Sequence, residues 1–153
     1  MPYLHIQACT HNGMMKTAKT ILVVDDEPES LRSLGEVLSD MGYEVITRPS
    51  GIEALSAAQR AEACDLVITD FRMPGMNGLE FITSLRQFMP EVPVIMLTAY
   101  GDIETYFNSF SLGVFEYINK PVSKDEFERV VEAAIHGPPD QQAGSRGSGR
   151  RAG

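Results

Sequence analysis

Long apolar runs are missing from this chain: no stretch approaches 18 consecutive apolar residues, so no segment reads as a membrane-crossing helix. The opening residues, MPYLHIQACTHNGMMKTAKT, lack the apolar centre of a secretory signal. Cysteine is scarce. Cys9 and Cys64 are the only two and have no CxxC or histidine spacing, so neither a disulfide framework nor a zinc site is expected. Such usage suits a reducing cytoplasm, the expected location. Positive charge is scarce as well. Residues 20–136 hold 20 acidic and 8 basic side chains, net −12, against −8 for the whole chain. That field repels phosphates, so direct nucleic acid binding is not expected, nor is membrane attachment. Internal repeats are absent, and 153 residues suit one domain with one core.

What the chain does have is alternation. Apolar runs at Ile21–Val24, Leu66–Thr69, Val94–Leu97 and Phe115–Ile118, with a weaker one at Glu44–Thr47, read as short strands. Helix-length segments separate them. Leu31, Leu34, Leu38 and Met41 share one face of the first, and Pro28 suits its first turn. The second contains Ile52 and Leu55; the third carries Leu79, Ile82 and Leu85 after a tight loop at Phe71–Gly78. The fourth is expected from about Asp102 to Leu112, ended by Gly113. In the fifth, Ser123 and Glu126 have capping-box spacing, and Phe127, Val130, Val131, Ala134 and Ile135 form a continuous stripe. Residues 19–136 are therefore expected to form one domain. Residues 1–18 read as a disordered or extended lead, in which Met14 or Met15 offers a second start, and 137–153 as a disordered polar and basic tail. Its Arg146, Arg150 and Arg151 read as solvated charge.

Parallel strands need right-handed crossovers, so five β-α units predict an α/β doubly wound, five-stranded parallel sheet with helices on both faces. A flavodoxin-like order 2-1-3-4-5 sets strands 1 and 3 side by side. Asp25 and Asp26, which follow the first strand, then converge with Asp70, which follows the third, while Thr98 and Lys120 end the fourth and fifth. Ligands of such sheets bind at the carboxyl ends of the strands. Crowded carboxylates stay ionised there only if a cation joins them, and a hard divalent ion is the natural candidate.

The strings ILVVDDE (Ile21–Glu27), LVITDFRMPGMNG (Leu66–Gly78), MLTAYGD (Met96–Asp102) and EYINKP (Glu116–Pro121) resemble, in order and spacing, the receiver domain of two-component response regulators. The resemblance is to the single-domain, chemotaxis-regulator type. It implies that Asp70 accepts a phosphoryl group from the phosphohistidine of a sensor histidine kinase or phosphotransfer protein. It further implies that Asp26, Asp70 and the backbone carbonyl of Arg72 bind Mg²⁺, with Asp25 assisting through water. Lys120 and Mg²⁺ would neutralise phosphoryl charge, Thr98 would contact a phosphoryl oxygen, and Tyr117 resembles the family's switching aromatic. A cis peptide is expected before Pro121. The implied output is a changed surface made by the fourth helix, fifth strand and fifth helix, offered to a downstream protein or to a second copy in a phosphorylation-dependent homodimer.

Taken singly, each residue has a plainer role: Asp25 as a helix cap, Thr98 as a strand-end hydroxyl, Lys120 as a solvated cation, Tyr117 as a core aromatic. Their joint spacing favours the site. His136 reads as a charge favouring the end of the last helix. Tyr106 and Phe107 are bulkier than the resembling family usually carries, and Tyr106 is a candidate partner contact. Arg72 and Tyr100 flank the expected phosphoryl position and are expected to slow attack by water. Two rival readings remain: a receiver cut from a larger, for example DNA-binding, regulator, and a small Asp-nucleophile phosphatase. The second needs another aspartate two residues after the nucleophile, where Arg72 stands. On the leading reading the protein is not an enzyme beyond its own phosphorylation and dephosphorylation.

Overall fold

A computed structural model describes residues 18–60, 64–99 and 112–137. Within them the chain runs β1 (Thr20–Val24), α1 (Pro28–Asp40), β2 (Glu44–Arg48), α2 (Gly51–Arg60), β3 (Leu66–Asp70), α3 (Gly78–Leu85), β4 (Val94–Thr98), β5 (Val114–Asn119) and α4 (Lys124–His136). The five strands form one parallel sheet in the order β2-β1-β3-β4-β5. That is the expected 2-1-3-4-5 topology. The helix expected near 102–112 lies, except for Leu112, outside the described residues, as do Tyr100, residues 1–17 and the tail from 138.

The strands are apolar on both faces because helices cover both. Alternate residues divide between two cores. Leu22, Val24, Val67, Val94 and Met96 pack with Ala54, Ala58, Phe81, Ile82 and Leu85 from α2 and α3. Ile21, Val23, Ile68, Ile95, Leu97 and Ile118 pack with Leu38, Phe127, Val130 and Val131 from α1 and α4. Deleting a fully buried ring such as Phe81 or Phe127 would cost about 3–5 kcal/mol.

Local signals place the helix starts. Pro28 occupies the first turn of α1 behind Glu27, which makes no side-chain cap. Asn77 and Glu80 form a reciprocal capping box on α3, and the Ser123 hydroxyl accepts the Glu126 amide on α4 at 3.2 Å. On α2 the buried face is made of Ala54, Ala57 and Ala58, whose small side chains let the helix lie close to the sheet, while Ile52 is 63% exposed. The pairing of β4 with β5 shifts between Val94 and Ile95, so Phe115 and Glu116 both face outward.

Candidate functional site

Register brings the acidic residues together. Val24 pairs with Thr69, so Asp25 and Asp70, one step further along β1 and β3, arrive at the same level of the sheet. Asp70 pairs with Leu97, and Thr98 pairs with Asn119, which brings Lys120 to the same edge. The Lys120 amide donates to the Thr98 carbonyl at 2.9 Å, fixing the lysine's backbone beside β4. The Lys120–Pro121 peptide is cis.

The loop after β3 is drawn tightly over the site. Gly78 donates its N–H to the Phe71 carbonyl at 2.8 Å, and a Cβ on Gly78 would lie 2.7 Å from the Asp70 carbonyl oxygen, closer than real Cβ contacts come. No larger residue fits without shifting the backbone that carries Asp70. Gly75 turns the loop with φ +85°, a conformation that favours glycine. Arg72 is exposed and sets its guanidinium 5.7 Å from the centre of the Phe71 ring.

Inside the cleft, Lys120 Nζ lies 3.0 Å from Asp70 Oδ2 and 3.4 Å from Asp25 Oδ2. Asp25 is fully buried, and its other oxygen accepts the Glu27 amide at 2.9 Å. It shapes the turn before α1 without being that helix's N-cap. Asp26 is exposed, and single ligand oxygens of Asp25, Asp26 and Asp70 all lie within 4.8 Å of one another. Burial holds the Asp70 carboxyl above the usual carboxylate range; Lys120 pulls it down and Asp25 pushes it up. Burial alone would lower the Lys120 ammonium, but its pairing with Asp70 and Asp25 outweighs that and raises it. Three carboxylates facing one ammonium leave a net negative cleft of hard oxygens, a donor set that fits a Mg²⁺ ion sharing its shell with waters and phosphate oxygens. Thr98 is buried at the end of β4, and its hydroxyl lies 3.3 Å from the Ala99 carbonyl. Tyr117 is half-buried on β5 against the α2/α3 core.

The profile of the response regulator receiver domain matches residues 21–132. The chain belongs to this family. As a receiver it is 40% identical over 115 residues to the transcriptional regulatory protein GlrR of Escherichia coli strain K12, covering 75% of this chain and 26% of that protein. It is 35% identical over 122 residues to the DNA-binding transcriptional regulator NtrC of Salmonella typhimurium, covering 80% of this chain and again 26% of the relative. The chain thus spans about a quarter of the length of these two relatives. Among solved structures, chemotaxis protein CheY4 of Vibrio cholerae superposes with a TM-score of 0.74 at 30% identity, over 78% of this receiver and all of that chain. A receiver domain protein of Clostridium thermocellum gives 0.72 at 33% identity, over 76% of this chain and 94% of that one. Receiver domains are phospho-accepting signalling domains that typically use Mg²⁺. Among the described residues, no helix is long and apolar enough to cross a membrane.

Sequence reasoning missed three polar arrangements around this frame. Arg86, at the end of α3, donates to the carbonyls of Leu112, Met89, Val92 and Gly113 at 2.8, 3.1, 2.6 and 3.2 Å. Nothing local in the sequence marks it, because its partners lie in two loops. Asp65 accepts the Thr20 amide at 2.8 Å across the opposite end of the sheet. His136 does more than favour a helix end: its Nε2 lies 3.4 Å from the Tyr43 hydroxyl, which also donates to Glu132 at 3.2 Å. The asparagine-initiated capping box at Asn77 was readable from Asn-x-x-Glu spacing.

Proposed function

We propose that this receiver is a phosphorylation-dependent switch of a two-component system in which Asp70 is the phosphoacceptor. The observation that carries the reading is the Asp70–Lys120 pair at 3.0 Å inside a cluster of three carboxylates. The donor is the phosphohistidine of a sensor histidine kinase or of a phosphotransfer protein. An Asp70 oxygen attacks phosphorus in line, the P–N bond breaks with its electron pair returning to the donor imidazole, and an acyl phosphate forms. Lys120 stands where it can neutralise charge on a phosphoryl oxygen, and Thr98 offers a hydroxyl to another. A Mg²⁺ held by Asp26, Asp70 and the Arg72 carbonyl, with Asp25 acting through water, supplies further positive charge to those oxygens when bound.

The product shifts a pre-existing equilibrium as Thr98 and Tyr117 move toward the phosphate, altering the surface around β5 and α4 that a downstream protein or a second copy reads. Residues 19–136 form the switching unit in this reading, with 1–18 and 137–153 as appendages and a cytoplasmic setting. A second reading is favoured by the greater length of the curated relatives: the domain serves as the receiver of a longer transcriptional regulator. Intact mass after incubation with acetyl phosphate and Mg²⁺ tests the proposal. One added phosphoryl group in the wild type and none in Asp70→Asn is expected. No addition from acetyl phosphate or from any of a panel of phosphorylated histidine kinases would refute it.

A further inference from the structure

At the end of α4 that points away from the acidic cleft, three polar groups from two distant parts of the chain meet. Glu132 and His136 stand one turn apart on the helix, with His136 Nε2 3.7 Å from Glu132 Oε1. Tyr43, in the turn that leads into β2, donates its hydroxyl to Glu132 Oε2 at 3.2 Å and lies 3.4 Å from His136 Nε2. Lys120 of the cleft precedes the first turn of α4, and His136 closes the last. About 18 Å of helix therefore separate the two places.

An imidazole, a carboxylate and a phenol side by side make a mixed nitrogen and oxygen donor set. Such a set suits a divalent transition ion, whereas Mg²⁺ favours oxygen and water. Tetrahedral zinc, with bonds of about 2.0–2.2 Å, sets its ligand atoms about 3.3–3.6 Å apart. The observed 3.2, 3.4 and 3.7 Å are close to that spacing, and the Glu132 carboxylate already turns one oxygen to each neighbour. Tyr43 is 9% exposed and anchors the back of the group. The side chains of Glu132 and His136 are 54% and 46% exposed, which leaves one side open for an ion to enter and for water to complete its shell. A carboxylate and a phenolate beside a neutral imidazole balance the charge of a divalent ion. Burial and then Glu132 push the Tyr43 phenol up to about 12, so its proton stays until a cation displaces it.

We propose that Tyr43 Oη, the Glu132 carboxylate and His136 Nε2 bind a Zn²⁺ ion, with water as the fourth ligand. The bond from Tyr43 Oη to zinc forms as the phenolic proton leaves to solvent. The ion clips the end of α4 to the turn before β2, joining residues that the chain separates by 89 and 93 positions. This site stands apart from the acidic cleft and does not rest on the phosphoryl-transfer reading.

Zinc titration of the full-length chain tests the proposal, with excess Mg²⁺ to fill the acidic cleft. His5→Gln, Cys9→Ser and His11→Gln form the background, removing the histidine and cysteine donors ahead of β1. Competition with a chromogenic chelator should show one Zn²⁺ per chain, and a hundredfold excess over its Kd should raise Tm by about 5 °C or more. His136→Gln, Glu132→Gln and Tyr43→Phe should each weaken binding at least about tenfold and lose most of that rise. Each rise is read against the same variant in chelator, so a variant's own cost in folding cancels. No saturable binding, or an affinity that any one of the three substitutions leaves unchanged, would overturn the proposal. Binding abolished by Asp70→Asn would assign the ion to the acidic cleft and also overturn it.

Discussion

At one end of β3, Asp65 turns its carboxylate onto the Thr20 amide at 2.8 Å; at the other, Asp70 turns its own toward Lys120 at 3.0 Å beside Asp25 and Asp26. Four buried residues, Leu66, Val67, Ile68 and Thr69, separate the two aspartates. Asp65 has a backbone partner and, among the described residues, belongs to no carboxylate cluster. Asp70 is crowded, its acidity is perturbed, and its compensation is shared with two other anions. The difference teaches what separates a strand-end cap from a reactive carboxylate: the first satisfies a fixed donor, while the second is left needing charge that a cation or a phosphoryl-transfer partner can bring.

The largest expected break in this contrast is at Asp70. Asp70→Asn should abolish incorporation of phosphate, whereas Asp65→Asn should leave it unchanged, with intact mass reading both. Lys120→Gln comes next, slowing phosphorylation by acetyl phosphate about a hundredfold, the scale of one well-placed electrostatic contact, with the rate read from the time course of intact mass.

Stability separates the two ends with the opposite sign. Asp65→Ala removes a carboxylate that satisfies the Thr20 amide and should cost about 1–2 kcal/mol in urea unfolding. Asp70→Asn should instead stabilise the protein in the absence of divalent ions. The folded state holds the Asp70 carboxyl above its ordinary range, so it retains a proton that the unfolded chain has released. Stability therefore falls as pH rises from the ordinary carboxylate range through that raised value, and the charged form burdens the fold at neutral pH. Asn at this position should raise Tm by about 2–4 °C at pH 7 and by much less at pH 4. Millimolar Mg²⁺ should raise the wild-type Tm more than that of Asp70→Asn, as measured by calorimetry with and without chelator.

The smallest expected effect is at Tyr43, which precedes β2 on the Asp65 side of the sheet. Burial first, and then the Glu132 carboxylate, push the Tyr43 phenol up to about 12. Between its ordinary value near 10 and that point the unfolded chain loses a proton that the folded one keeps, so this residue's contribution to stability falls through that window. Ultraviolet titration should show one late-ionising tyrosine that disappears in Tyr43→Phe.

The parallel sheet and the common edge of Asp25, Asp26, Asp70 and Lys120 were legible from local patterns, and the strand order from the likeness to flavodoxin-like sheets. Apolar runs mark strands covered on both faces, and charged residues immediately beyond them must emerge at one edge when all strands are parallel. Receiver strings then named that edge. Less legible were features decided by packing between distant segments. Ile52 has the apolar character of a core residue, yet the Ala54, Ala57 and Ala58 face packs closer and takes the buried side. Arg86 and Asp65 gave no local sign, since their partners lie up to 45 residues away. His136 read as a helix-end charge because Tyr43, its neighbour in space, is separated from it by 93 positions.

The central claim is that Asp70, and no other carboxylate of the cluster, carries the phosphoryl group. Borohydride reduction of the phosphorylated protein, followed by peptide sequencing in a mass spectrometer, tests it most directly, because an acyl phosphate is converted to homoserine at the residue that bore it. The prediction is homoserine at position 70 in the peptide containing Thr69 and Phe71. Homoserine at position 25 or 26, with aspartate intact at 70, would contradict it.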